Sequence, residues 1–241
     1  MALVVDNTTT KDGGSPNTTY SWTHACSSDT TLLVVTTHAN DSSSSDGDVT
    51  GVTYAGDALT NADEYFGTGD DLGVEIWYKF DPNTSGNDTI EVTHGGKCSY
   101  AGGIATSFEG ILSGGSLDGN SNNTGSSTSP SATVNCSANV LLVGGLTFEE
   151  ADAANISCDD TELAELDWGG QTCYQGYTTT TASGNDSVSW TANSADNWVA
   201  VAASFPIDQS PTVALNSRSD TGAVATTTPA LNFTGTDSDG G

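Results

Sequence analysis

Basic residues are nearly missing from this chain. Four Lys plus Arg stand against thirty-one Asp plus Glu in 241 residues, a formal net charge of −27. Nucleic-acid binding depends on Lys and Arg displacing counterions from phosphate, so that class of partner is excluded, and an anionic membrane surface is excluded with it. No run of the sequence approaches the ~20 apolar residues of a membrane-spanning helix, which argues against insertion. Cys-x-x-Cys pairs are absent and histidine occurs three times, at His24, His38 and His94, so no zinc pattern forms. There is no Gly-x-Ser-x-Gly turn to present a nucleophile. Glu149-Glu150 and Asp159-Asp160 are adjacent carboxylates, and neighbours on a strand point to opposite faces. Such pairs rarely make an acid–base couple. The expectation is a non-enzymatic protein.

Apolar residues are also scarce, at 35%, and Thr, Ser, Gly, Asn and Asp fill the gap. That mixture favours strands and turns over helices. Strand signals recur over 19–24, 31–37, 72–80, 89–93, 99–108, 132–136, 140–148, 173–181, 187–192 and 198–205. A hairpin is expected over 49–60, with its tip at Ala55-Gly56-Asp57. Leu32-Leu-Val-Val35 is apolar without alternation, which predicts a central strand buried on both faces. The Gly- and Ala-rich stretch 99–108 predicts close packing against a neighbour. One helix is predicted over 159–168, where Asp159 serves as cap, Glu162 lies three residues on, and Leu163 and Leu166 share a face. Residues 110–130, mostly Gly, Ser and Asn, read as a flexible loop.

About a dozen short strands with almost no helix predict an all-β fold, a two-sheet antiparallel β-sandwich over residues 1–206. Jelly-roll-like and immunoglobulin-like topologies both fit, and length favours the former. Leu32, Val34, Ile76, Leu141, Val143 and Val199 are the predicted core. A weak internal echo links Cys26-Ser-Ser-Asp-Thr-Thr-Leu-Leu-Val-Val35 with Cys136-Ser-Ala-Asn-Val-Leu-Leu-Val-Gly144; equivalent strands in two halves of a sandwich, or chance, would produce it. Residues 207–210 read as a linker. Residues 211–241 carry two more strand signals, too little to close a sandwich, so Val213, Leu215, Leu231 and Phe233 need cover from the first domain, the rest of a second domain, or another subunit.

Calcium is the one cofactor the residues suggest, through the oxygen ligands Asp41, Asp46 and Asp48 around Gly47, and Asp237 and Asp239 before Gly240. Neither group completes an EF-hand loop. Of the five cysteines, Cys26, Cys98, Cys136, Cys158 and Cys173, the pair Cys158 and Cys173 brackets a segment short enough for an easy disulfide; the alternative is that all five are small buried residues. Asn-x-Ser/Thr sites occur at Asn7, Asn17, Asn40, Asn83, Asn87, Asn122, Asn135, Asn155, Asn185 and Asn232, about twice what the composition gives by chance. They mark either glycosylation or turn chemistry. Among the tryptophans, Trp168 beside Gly169-Gly170 is the one expected to be exposed and available to a sugar.

The opening Ala-Leu-Val-Val-Asp6, then Ser21-Trp22-Thr23-His24, Leu32-Leu-Val-Val35, Val49-Thr-Gly-Val-Thr-Tyr-Ala-Gly-Asp-Ala-Leu-Thr60, Ile76-Trp-Tyr78, Pro82 to Gly86-Asn87, and Trp198-Val-Ala-Val-Ala-Ala-Ser-Phe205 follow one another in an order that carries a resemblance. Residues 1–206 resemble an uncharacterised β-sandwich domain of tailed-phage virion proteins and large secreted microbial proteins. Residues 211–241 resemble the start of a bacterial immunoglobulin-like or fibronectin type III-like module. The resemblance implies a structural or adhesive role. The first residues lack the basic region of a secretory leader. A renumbered mature start, another export route, or release within a virus particle would reconcile this with the extracellular composition, and the last is favoured. The expected function is therefore a virion surface component, a decoration, turret or fibre subunit, located extracellularly or on a virion. It would assemble with other protein subunits, itself as a homo-oligomer, and contact surface glycans. A cell-surface adhesin, S-layer or filament subunit is the alternative, and a carbohydrate-binding module or diverged hydrolase is the alternative of another class.

Overall fold

The computed structural model describes residues 2–14, 18–41, 47–66, 71–149, 156–168 and 170–209, together with the backbone of 212–215 and 233–236. Every named element is a strand. The first nine are β1 (Val4–Gly14), β2 (Thr19–Ala25), β3 (Thr30–Asn40), β4 (Val49–Tyr54), β5 (Asp57–Ala58), β6 (Thr60–Phe66), β7 (Leu72–Phe80), β8 (Asn87–His94) and β9 (Tyr100–Glu109). The next eight are β10 (Gly119–Ser127), β11 (Ser131–Cys136), β12 (Val140–Phe148), β13 (Ile156–Cys158), β14 (Thr161–Trp168), β15 (Gln171–Thr180), β16 (Gly184–Ala192) and β17 (Asp196–Pro206). A final hairpin pairs β18 (Thr212–Leu215) with β19 (Phe233–Thr236).

The body is all-β and antiparallel, and it is built twice. One five-stranded sheet runs β1-β9-β3-β7-β6 and another runs β10-β17-β12-β15-β14; a smaller sheet runs β2-β8-β4-β5 and its counterpart β11-β16-β13. The order matches strand for strand, except that β5 has no counterpart in the second module. The all-β antiparallel sandwich expected over 1–206 is there, and it is doubled: two sandwiches lie back to back, giving four layers and three cores. The outer core of the first module holds Leu33, Val35, Val52, Tyr54, Trp77, Ile90 and Val92. That of the second holds Val134, Leu142, Leu146, Tyr174, Val188 and Trp190. Between the two large sheets lie Leu32, Val34, Ile76, Phe108, Leu141, Val143, Val199 and Phe205. All six predicted core residues fall in this central layer, and each is 0 or 1% exposed. The run at Leu32–Val35 is apolar throughout because successive side chains feed two different cores.

Equivalent residues follow from the register. Leu32 pairs Phe108 as Leu141 pairs Phe205, and Val34 pairs Tyr78 as Val143 pairs Tyr177. The echo at Cys26 and Cys136 is thus a true structural repeat, the turn that leads into the central strand of each module. A second repeat goes with it. Ser85-Gly-Asn-Asp88 and Ser183-Gly-Asn-Asp186 both lead into the middle strand of an outer sheet, and Gly86 and Gly184 adopt φ of 142° and 134°. Such φ values favour glycine.

Two local expectations are corrected. The segment 159–168 forms no helix: β14 pairs with β15, and a bulge between Glu162 and Ala164 makes Leu163 the extra residue. Beyond the bulge Ala164, Leu166 and Trp168 are partly or fully buried while Glu165 and Asp167 are exposed. The bulge therefore turns a period of two into the three-residue spacing that looks helical. Part of 110–130 is likewise a strand, since β10 pairs with β17 along its whole length. An edge strand needs backbone partners more than apolar side chains, and its asparagines serve the neighbouring edge. Asn122 Nδ2 donates to Asp63 Oδ1 at 2.8 Å, and Asn120 Nδ2 donates to the Ala62 carbonyl. The hairpin over 49–60 appears as expected, with Ala55 and Gly56 at φ of 54° and 84°. The Gly-rich β9 packs closely: a methyl at Gly102 would strike the Trp168 ring, and one at Gly103 would lie 2.8 Å from Trp22.

Candidate functional site

Each module carries a carboxylate clamp at its first strand. Asp6 Oδ2 accepts from Ser27 N at 3.0 Å, Ser107 Oγ at 2.8 Å and Thr30 Oγ1 at 2.8 Å. Asp118 Oδ2 accepts from Ser137 N at 2.8 Å and Ser204 Oγ at 3.0 Å. Ser27 and Ser137 each follow the repeated cysteine, and Ser107 and Ser204 each precede the repeated phenylalanine. Partial burial pushes both carboxyls up, but these donors outweigh it and hold them below the usual aspartate range.

In the first module the clamp extends to a histidine. Thr9 Oγ1 accepts from Trp22 Nε1 at 3.0 Å and lies 2.8 Å from His24 Nδ1, to which it donates because the proton of the neutral ring is on Nε2. Ser107 donates to Asp6 and therefore accepts from His24 Nε2–H at 3.2 Å. Serine, histidine and aspartate are in one chain of bonds, but in an order unlike that of a catalytic triad. The carboxylate holds the serine instead of the imidazole, and the ring presents a proton to the hydroxyl instead of a lone pair. Ser107 is also fully buried. Burial lowers His24 to about 4, which keeps it neutral.

His38 lies between the modules, where Thr147 Oγ1 donates to the Gly73 carbonyl at 3.0 Å and accepts from His38 Nδ1 at 3.0 Å. Thr36 Oγ1 meets His38 Nε2 at 3.0 Å. Gln175 joins the same group, accepting from Thr106 at 2.5 Å and donating to Thr36 and the Ile104 carbonyl, both at 3.4 Å. Burial alone brings His38 down to about 3. Trp168, 7% exposed, stands edge-on to this imidazole at 6.4 Å. It is a buried residue, and the expected exposed tryptophan for a sugar is not there.

A third group lies at the end of the first sandwich. Glu75 Oε1 accepts from Val49 N at 2.7 Å, and Oε2 from Trp77 Nε1 at 2.9 Å. Burial, with smaller contributions from Asp48 and Glu64, overcomes those donors and pushes Glu75 up to about 8. His94 Nδ1 donates to the Gly47 carbonyl at 2.9 Å, leaving Nε2 buried without a partner. Asp41 accepts from Ser99 N at 2.6 Å. Of the calcium candidates, Asp41 and Asp48 are described, whereas Asp46, Asp237 and Asp239 lie outside the described residues. Among the described residues no three His, Cys, Asp or Glu side chains converge to hold a metal.

The cysteine pair is also corrected. All five thiols are free. Cys158 points into the outer core toward Gly176, while Cys173 points into the central layer, 3.9 Å from Thr147 Oγ1. Positions 173 and 176 are an odd number apart, so β15 itself stands between the two sulfurs. Of the Asn-x-Ser/Thr asparagines, Asn83, Asn87, Asn122, Asn135 and Asn185 are exposed and Asn7 and Asn40 are half-buried. Asn17, Asn155 and Asn232 lie outside the described residues. Asn135 and Asn185 face each other across β11 and β16, 3.0 Å from Nδ2 to Oδ1.

One open groove of about 530 Å³ runs along the end of β15, lined by Thr178, Thr179, Thr180 and Thr181 with Leu3 and Ile207. It offers hydroxyls and a little apolar surface. None of the groups above combines an accessible nucleophile, a base and an opening. No family model, curated protein or solved structure matches this chain.

Proposed function

We propose that this protein is a non-enzymatic structural component of an exposed surface, a decoration, turret or fibre subunit of a tailed virus. The observation that carries the reading is how completely the chain uses its apolar residues internally. Val4 at 46% and Tyr100 at 40% are the exposed large hydrophobics of the described residues, and the −27 charge spreads over a Ser-, Thr- and Asn-rich exterior. A rigid, closed body with a self-repelling polar exterior suits a protein that must persist outside a cell without aggregating. The buried, fully engaged His24 and His38 support structure over catalysis. The buried tryptophans weigh against sugar binding through an aromatic platform. Such a subunit takes its place in an assembly through other protein subunits, including copies of itself. The apolar positions of 211–241 are the proposed means. A cell-surface adhesin, S-layer or filament subunit is the second reading, favoured by the five exposed glycosylation sequences.

The test is fractionation of the producing culture. Particles banded on a density gradient and washed envelopes are probed with antibody against residues 2–209. Recovery with the particles supports the virion reading, recovery with the envelope supports the second, and recovery in neither defeats both.

A further inference from the structure

The two modules meet as the halves of a two-fold dimer would. Tyr78 of the first stands edge-on to Phe205 of the second at 5.5 Å, and Tyr177 of the second stands edge-on to Phe108 of the first at 5.9 Å. By the register Tyr78 is equivalent to Tyr177 and Phe108 to Phe205, so one contact is made twice, reciprocally, as at an isologous interface. The sheet edges repeat it: β6 packs beside β10, and their equivalents β14 and β1 pack together. Along the axis equivalent positions face each other. His38 bonds to Thr147, and Thr36 covers Gly145.

At the axis the faces have ceased to be alike. A Cβ on Gly145 would lie 3.0 Å from Thr36 Cγ2 and 3.1 Å from Val74 Cγ2. Two copies of the first face would therefore crowd threonine on threonine and bury imidazole against imidazole. Two copies of the second would leave Gln175 without its two side-chain partners, because the equivalents of Thr36 and Thr106 there are Gly145 and Ala203. A buried amide oxygen without a donor is costly. We propose that the inner face of each module is an association surface specific for the other module. Each binds its complement and rejects a copy of itself, and Leu112–Leu117 is a tether, not a source of the pairing. The partner this surface fits is the complementary half of the same chain.

The test begins with the full chain carrying a protease site between Gly115 and Ser116, cut after folding; Ser116 is exposed, and the anchors Ser113 and Gly114 on Asp81 are left intact. The expected result is one species at the mass of the uncut chain, holding both fragments one to one. After unfolding in urea and dilution the same heterodimer returns, and native mass spectrometry finds neither homodimer. Fragments that part on cleavage, or refold into homodimers in statistical proportion, overturn the proposal. The uncut chain supplies an independent reading that does not need the fragments to refold. Gly145→Val should lower the melting midpoint by about 5 °C or more through overpacking, and adding Thr36→Ser, which removes only the opposing methyl, should recover about half of the loss. No recovery from the second change would refute the facing positions on which the specificity rests.

Discussion

Replacing Asp6 or Asp118 with asparagine removes the charge from a clamp and keeps an acceptor oxygen. The two sites are equivalent but unequally loaded. Asp6 Oδ2 takes three donors, two of them hydroxyls on β3 and β9 and the third the Ser27 amide on the turn after β2. Asp118 takes two and is exposed. Hydrogen bonds to a charged acceptor contribute about 1.5–3 kcal/mol net when buried, and exposure screens that strongly. Asp6→Asn is thus expected to cost about 2 kcal/mol and Asp118→Asn about 1 kcal/mol, with the double variant near the sum because the sites belong to different modules. Both carboxyls are held below 3.8 in the folded state. A depressed acid stabilises fully above its unfolded pKa and loses that contribution as pH falls through the folded value. Urea unfolding at pH 7 and pH 3 measures this: the cost of each substitution should shrink at the lower pH with the urea slope unchanged. Variants as stable as the parent at pH 7, or costs that do not change with pH, would refute the clamp as an electrostatic device.

Glu75→Gln should cost stability at pH 4.5, because Val49 N and Trp77 Nε1 donate to separate oxygens and an amide nitrogen accepts from neither, and the variant should gain on the parent by about 2–4 kcal/mol between pH 4.5 and pH 8. A carboxyl raised to about 8 is neutral when folded and charged when unfolded between 4.5 and 8, so stability falls as pH rises through that window. The buried histidines act oppositely below pH 6.5, and the difference between parent and variant isolates Glu75. Gly86→Ala and Gly184→Ala should each cost about 1 kcal/mol or more in thermal unfolding, and equal losses at the two sites would bear out the repeated turn. Made in a glycosylating host, the protein should carry glycan by mass spectrometry at Asn87 or Asn185 and none at Asn7, whose Nδ2 is engaged with the Ala25 carbonyl at 3.0 Å. Occupancy at Asn7 would contradict that bond.

Strand identity was legible wherever one face or both were apolar, as at Leu32–Val35 and Val140–Val143, because burial imposes the pattern directly. It was illegible where other forces place the chain. β10 is held by the backbone of β17 and by asparagines reaching β6, so its side chains carry no apolar signal. At β14 the bulge disguised the period. The duplication was half visible: Cys26 and Cys136 marked it, while the stronger match between Ser85–Asp88 and Ser183–Asp186 would have doubled the signal and fixed two modules in place of one. Trp168 read as exposed because glycines flank it, yet the glycine that matters is Gly102, sixty-six positions away in sequence and reached only across the central layer. Nothing in the order of residues distinguishes Glu75 from a surface glutamate. Its burial follows from sitting between Val74 and Ile76 on a strand whose two faces are both covered.

The central claim is that two copies of one sandwich pack face to face with β3 lying on β12. It is tested most directly by a crosslink at the axis. A Cβ on residue 145 would lie 3.3 Å from Thr36 Cβ, close to the 3.5–4.5 Å span of a disulfide. Thr36→Cys with Gly145→Cys should oxidise in the folded protein and join the modules. After cleavage of the linker between them, a non-reducing denaturing gel should show one full-length band that splits into two on reduction. A folded protein that keeps both introduced thiols free, and falls into two fragments without reductant, would contradict the packing.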